Sequence, residues 1–167
     1  MVLHTELLEA VTNLSFALPP RRGAAPHTGQ GLPHLQLDQW PPSELVEELA
    51  QRSLRLPLVK SKQSRMASPQ SRALCLPDAF AGGPPAAFID AHEFCHLHPP
   101  PEGSIHLTLH RDLRAQAIQL GWAEPHPVTR LGSMPETLVM VYAPRTEQEL
   151  ELVYRLIQGS YEFARGI

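Results

Sequence analysis

The sequence predicts an α+β domain: a mostly antiparallel sheet of four to five strands packed with helices, the C-terminal one long. Three observations carry this. Segments 93–98 and 104–110 are joined by Pro99-Pro100-Pro101-Glu102-Gly103, a link too short for a crossover, so they pair as a hairpin. Residues 137–143, Thr-Leu-Val-Met-Val-Tyr-Ala, are strongly β-prone. Thr146-Glu147-Gln148-Glu149 has the form of a capping box, and Leu150, Val153, Tyr154, Ile157, Tyr161 and Ala164 follow it at helical spacing as one apolar stripe. The 167 residues, 43% of them hydrophobic, suit a single domain over 1–167 that buries a core without disulfides or a structural metal. Residues 1–40 read as an N-terminal helix and a wrapping loop, and 41–167 as the core.

The other elements follow in chain order. Leu3, Leu7, Leu8, Val11 and Leu14 are spaced for an amphipathic helix, with no Lys or Arg before Arg21, which is unlike a secretory signal. From Leu18 to Trp40 the prolines and glycines are too frequent for a regular element, and a surface wrap is expected. Pro41-Pro42-Ser43 opens a short helix through Glu44 to Gln51. Leu54, Leu56 and Leu58 alternate with Arg55, Pro57 and Val59, which predicts an edge strand. Another strand is expected at Arg72 to Leu76, then a loop from Pro77 to Pro85. After the hairpin, Asp112 is read as the cap of a helix carrying Leu113, Ala117 and Leu120 and stopped by Gly121, and Trp122 to Thr129 as a proline-punctuated crossing.

Composition excludes several function classes. A net charge of -3 argues against a nucleic-acid partner, which would need clustered Lys and Arg. One basic stretch, Arg52, Arg55, Lys60, Lys62, Arg65 and Arg72, reads as a solvated face balancing the acidic C-terminal helix, with an anionic-ligand site as the alternative. Cys75 and Cys95 stand far apart and suggest neither a disulfide framework nor a zinc ribbon. No apolar run has the ~20 residues that span a bilayer. A cytoplasmic protein with no membrane or nucleic-acid partner is expected, its oligomeric state open.

Six of the nine histidines fall between positions 92 and 126. Side chains two apart on a strand share a face, so His96 and His98, with His106 on the next strand, can converge on one point. Surface positions are the alternative for any single histidine, and His92 and His110 are read that way. Glu102 in the turn and His126, between Pro125 and Pro127, complete the candidate set.

These residues carry a family resemblance. The run Cys95-His96-Leu97-His98, seven residues, then His106-Leu-Thr-Leu, then Gly121-Trp122-Ala-Glu-Pro-His126-Pro127, then Val141-Tyr142-Ala143-Pro144-Arg145 resembles the fungal luciferase family. Weaker similarity extends through Leu18-Pro19-Pro20-Arg21-Arg22-Gly23, Ser43-Glu44-Leu45-Val46 and Leu74-Cys75-Leu76-Pro77. The resemblance implies an oxygenase acting on a small enolic or phenolic, hispidin-like compound, with O2 as co-substrate. Luminous members begin with a membrane segment and place a different polar turn at Pro99 to Glu102, so weak light or none is expected here.

Oxygenating an enol needs a base for the enol proton, and imidazole serves near neutral pH. It also needs donors that hold the developing oxyanion and peroxide. His96, His98, His106, His126 and Glu102 are the candidate catalytic groups, and Trp122, Tyr142 and Arg145 the candidate substrate-binding wall and donor. The core is the other home for Trp122 and Tyr142, and Arg145 could instead clamp a carbonyl or an acid. Either no cofactor is required, or His96, His98 and His106 bind a divalent metal, a set that suits iron, manganese, nickel or zinc. The set matches half of a cupin motif, but Asp90 and Leu109 stand where that motif has glycines. A non-catalytic small-molecule binder is the third reading.

Overall fold

The computed structural model describes residues 17–167; the helix expected over Leu3 to Leu14 lies outside them. Helix α1 spans Ser43–Leu54, and strands β1 (Lys60–Gln63), β2 (Arg72–Cys75), β3 (Glu93–Leu97) and β4 (Ile105–Thr108) follow. Helix α2 is Arg111–Gln119, β5 is Ala123–Pro125, β6 is Leu138–Val141, and α3 is Glu147–Arg165. The strands form one sheet in the order β1-β2-β3-β4-β6-β5, every pair antiparallel. This is the α+β architecture expected, with six strands where four to five were predicted.

The two strands that were not expected, β1 and β5, lie at the sheet edges. Leu54 closes α1 instead of opening a strand, and Leu58 adopts φ 68°, which no strand residue takes. The alternating leucines therefore line a helix end and a turn, and pairing begins only at Lys60. All four residues of β1 are exposed. At the other edge β5 lies within the expected crossing; Pro125 ends it, as a proline can on an edge strand. Asp112 is not the cap of α2: His110 holds that position without a side-chain bond, and Asp112 sits in the first turn, where a carboxylate favours the helix dipole.

The sheet has two unlike faces. Leu74, Cys95, Leu97, Ile105, Leu107, Val139 and Val141 point into the core with Leu49 of α1 and Leu150, Val153, Leu156 and Ile157 of α3. The stripe that predicted α3 is thus the surface that covers this face, and α3 also packs on α1. Gly83 closes the far end: its N–H donates to the carbonyl of Ala164 at 2.9 Å, and a Cβ there would lie 2.2 Å from the Phe163 carbonyl oxygen. The wrap at residues 18–40 crosses the edge formed by β5 and β6, Trp122 donating its indole N–H to Pro19 and Gln36 accepting the Ala143 N–H. Within the basic stretch Arg52 pairs with Glu151, Arg65 with Asp90 and Arg72 with Glu47, all partly in solvent.

The capping box is half formed. The Thr146 hydroxyl accepts the Glu149 N–H at 3.1 Å, but the Glu149 carboxylate accepts the Arg145 N–H instead of reaching back to Thr146. Thr146→Ala is expected to lower stability by about 1 kcal/mol in urea unfolding, with the denaturant slope unchanged. A change below a few tenths would show that the Arg145–Glu149 bonds already hold the helix start.

Candidate active site

The second face carries the site. Ala73, His96, His106, Met140 and Glu124 stand directly opposite one another across β2, β3, β4, β6 and β5, one row running over five strands. His96 and His106 are a cross-strand pair, with His98 the residue just after β3. The three rings lie 4.6–5.4 Å apart, centroid to centroid. His126 follows β5 by one residue and sets its ring edge-on to His106 at 4.6 Å. The structure therefore brings together all four predicted histidines.

A break in β3 supplies a fifth group that the spacing concealed. Leu74 pairs with Cys95 but Cys75 pairs with Glu93, so β3 carries one extra residue at Phe94. This bulge changes the alternation. Phe94 goes into the core, and Glu93, three residues from His96, comes onto the histidine face. There its carboxylate takes the His96 Nδ1–H at 2.6 Å and a bond from the Ser64 hydroxyl at 2.9 Å.

Glu102 does the same for His98. Its carboxylate accepts His98 Nδ1–H at 2.8 Å, the Gln36 N–H at 2.7 Å and the Ser104 hydroxyl. Burial alone would raise the Glu102 carboxyl; the bonds from His98, Ser104 and Gln36 hold it below its ordinary value. It thus holds an imidazole in place instead of standing free in the cavity.

The sequence reading missed His34, which arrives from the wrap. It is 2% exposed, its ring stacks 5.5 Å from His106, and its Nε2–H donates to Glu124 at 2.6 Å. Glu124 also accepts from Thr28 at 2.8 Å and Tyr142 at 3.0 Å. Burial would raise the Glu124 carboxyl, and these three bonds keep it low. No local pattern marks His34, since the chain around it is irregular; its nearness depends on where the wrap crosses the sheet.

Hydrogen bonding fixes which ring nitrogens are bare. With Nδ1–H of His96 on Glu93, its Nε2 accepts the Nδ1–H of His106 at 3.0 Å. That leaves His106 Nε2 without a proton, and it is buried with no partner. His34 Nδ1 is likewise bare, buried and unpartnered. Burial, reinforced by four neighbouring imidazoles, pushes His106 far below the ordinary histidine value. The same causes push His126 down to about 4. His126 Nδ1 accepts the Val128 N–H at 3.3 Å, so its proton sits on Nε2.

These rings floor a cavity of about 580 Å³ whose walls are mostly apolar, among them Leu32, Met66, Ile89, Val128 and Leu138. Pro99, Pro100 and Pro101 form part of the rim. The volume suits a small organic molecule. Trp122, Tyr142 and Arg145 do not line it. Trp122 is buried in the core, Tyr142 spends its hydroxyl on Glu124, and Arg145 binds Glu149 and the Arg22 carbonyl. Their apolar bodies and strong local partners draw them away from the cavity. His92 stands near Asp78 at 3.0 Å, and His110 is exposed with its ring against Phe163.

One face of the α+β sheet is covered by helices, and on the other a mostly apolar cavity opens over five buried imidazoles. Comparison with known proteins names its kin. Residues 91–160 match the family described as the luciferase domain. The chain is 26% identical over 162 residues to luciferases of Armillaria gallica and Armillaria ostoyae, covering 86% of its own length and 59% of each relative. It is 31% identical over 70 residues to the luciferase of Armillaria mellea, covering 41% of this chain and 26% of that one. The chain is thus similar to fungal luciferases over most of its length, and its residues 91–160 match the luciferase domain. It spans about three-fifths of the length of the first two relatives, at 59%. No solved structure matches it. Among the described residues no helix is long and apolar enough to cross a membrane.

Proposed function

We propose that this chain oxidises a small, electron-rich enolic or phenolic compound of the hispidin type with molecular oxygen. The observation that carries this reading is the His34–Glu124 dyad: one ring nitrogen is locked onto a carboxylate, and the other is bare at the wall of an apolar cavity. Such a dyad is built to take a proton, because the imidazolium that forms is stabilised by the carboxylate behind it. His34 Nδ1 removes the enol proton, and the enolate carbon then gives its electrons to O2 and forms a C–O bond. The proton returns to the outer peroxide oxygen, so enol and O2 become a keto hydroperoxide with atoms and charge conserved. His126, with its proton on Nε2, is the donor placed to hold the peroxide as charge develops. The apolar walls keep water from that charge.

3-Hydroxyhispidin in air is the test substrate. Oxygen uptake with release of carbon dioxide is expected, with little or no light, since the turn that differs from that of luminous members, Pro99 to Glu102, lines the cavity that would have to shield an excited product from water. Uptake no greater than that of a His34→Ala control would remove this substrate. Tight binding of the compound without turnover would instead favour a carrier.

A further inference from the structure

We propose that His96, His98 and His106 bind one divalent transition-metal ion at the floor of the cavity. The site stands on the geometry of the hairpin and needs no assumption about the oxygenation above. One ring nitrogen from each of the three lies within 4.8 Å of the others. His96 Nε2 and His106 Nδ1 are 3.0 Å apart. Two imidazole nitrogens bound to one ion at ~2.1 Å sit about 3 to 3.5 Å from each other, so the ion can take the place of the proton between these rings with little movement, that proton passing from Nδ1 to the bare Nε2 of His106.

The surroundings match what a metal centre requires. Imidazoles that ligate metals commonly give their other ring N–H to a carboxylate, which fixes the tautomer and aims the bare nitrogen inward. Two of the three rings have this support: His96 from Glu93 and His98 from Glu102, with carboxylate side chains only 6% and 13% exposed. Those carboxylates bring two negative charges under an apolar cavity, and a dication neutralises both. The ligands come from adjacent strands of one hairpin, so the backbone ladder sets their spacing. Three imidazoles leave a further coordination position open, as catalytic sites do, and all three rings line the cavity that opens above it. Nitrogen donors alone select zinc, copper, iron or nickel over magnesium or calcium.

A second set, His34, His106 and His126, also brings ring nitrogens within 4.8 Å. It is the weaker site. His126 turns Nδ1 to the Val128 N–H, so only one ring of this set, His34, has a carboxylate behind it, against two in the first. His98 therefore belongs to the proposed centre and His34 does not, which separates the two sets experimentally.

The test uses the full chain purified without a histidine tag, treated with a chelator, and titrated with Co2+ and Zn2+ by calorimetry and visible absorption. One equivalent is expected, with the d–d bands of cobalt in a low-coordinate nitrogen site and competition by zinc. His98→Ala should abolish the bands, whereas His34→Ala should keep them. Glu102→Gln should weaken binding by about 10- to 100-fold, as removal of such supporting groups does, and it decides the matter if His98→Ala fails to fold. No cobalt binding by the wild-type chain, a stoichiometry of two, or binding that survives His98→Ala but not His34→Ala would each overturn the proposal.

Discussion

Replacing His34 with alanine is expected to cut oxygen consumption by roughly 10²- to 10⁴-fold, the usual range for a positioned acid–base group. The ring is held at Nε2 by Glu124, and Glu124 by Thr28 and Tyr142, so the bare Nδ1 is presented to the cavity in one orientation. Glu124→Gln should give most of the same loss. An amide can hydrogen-bond the ring in either sense, and half of those arrangements put the proton on the nitrogen that must be bare. Tyr142→Phe removes one of three bonds to Glu124 and should cost far less. For all three variants kcat should fall while KM stays nearly constant, because the dyad acts on the proton and not on substrate affinity. Equal loss of binding and turnover would make His34 a wall of the cavity, and unchanged uptake in His34→Ala would end its assignment as base.

Phe94→Ala is expected to destabilise the domain by about 3–5 kcal/mol, a large share of the ~5–15 kcal/mol that holds a typical domain folded. Phe94 is fully buried, its ring tilted against Tyr161 at 6.1 Å, while its carbonyl accepts from the Ser160 hydroxyl at 3.2 Å. It is also the extra residue of the bulge. Truncation opens a void beneath α3 and loosens the anchor that keeps Glu93 on the histidine face. Urea unfolding should show the midpoint falling steeply, and any cobalt bound by the hairpin should weaken with it. A loss under 1 kcal/mol would mean that the core closes over the gap.

The parts of the fold legible in the sequence were those where one local pattern governs a whole element. The stripe Leu150, Val153, Ile157 and Ala164 gave α3, and the apolar runs around a proline turn gave β3 and β4. The two edge strands left no such trace. β1 has no buried face to impose alternation, and β5 is three residues ending in a proline. The same division holds in the site. Period-two reasoning puts His96, His98 and His106 on one face, but applied to Glu93 it points the wrong way, because the bulge inserts a residue that no composition rule announces. His34 joins the cluster through a contact between the wrap and a strand end about 90 residues away, information that is not local.

The two short edges have a consequence for how copies of this chain meet at high concentration. A sheet ending in a long, flat, apolar strand offers its unused N–H and C=O groups as a template on which another chain can be laid. Here one border is Lys-Ser-Lys-Gln, fully exposed and doubly charged, and the other is three residues long and closed by an imino acid that has no N–H to give. Neither border presents enough bare backbone to register a neighbouring strand, and two copies approaching along β1 meet lysine against lysine. The hydrophobic interior can be assembled from strands without making the protein a seed for fibrous stacking.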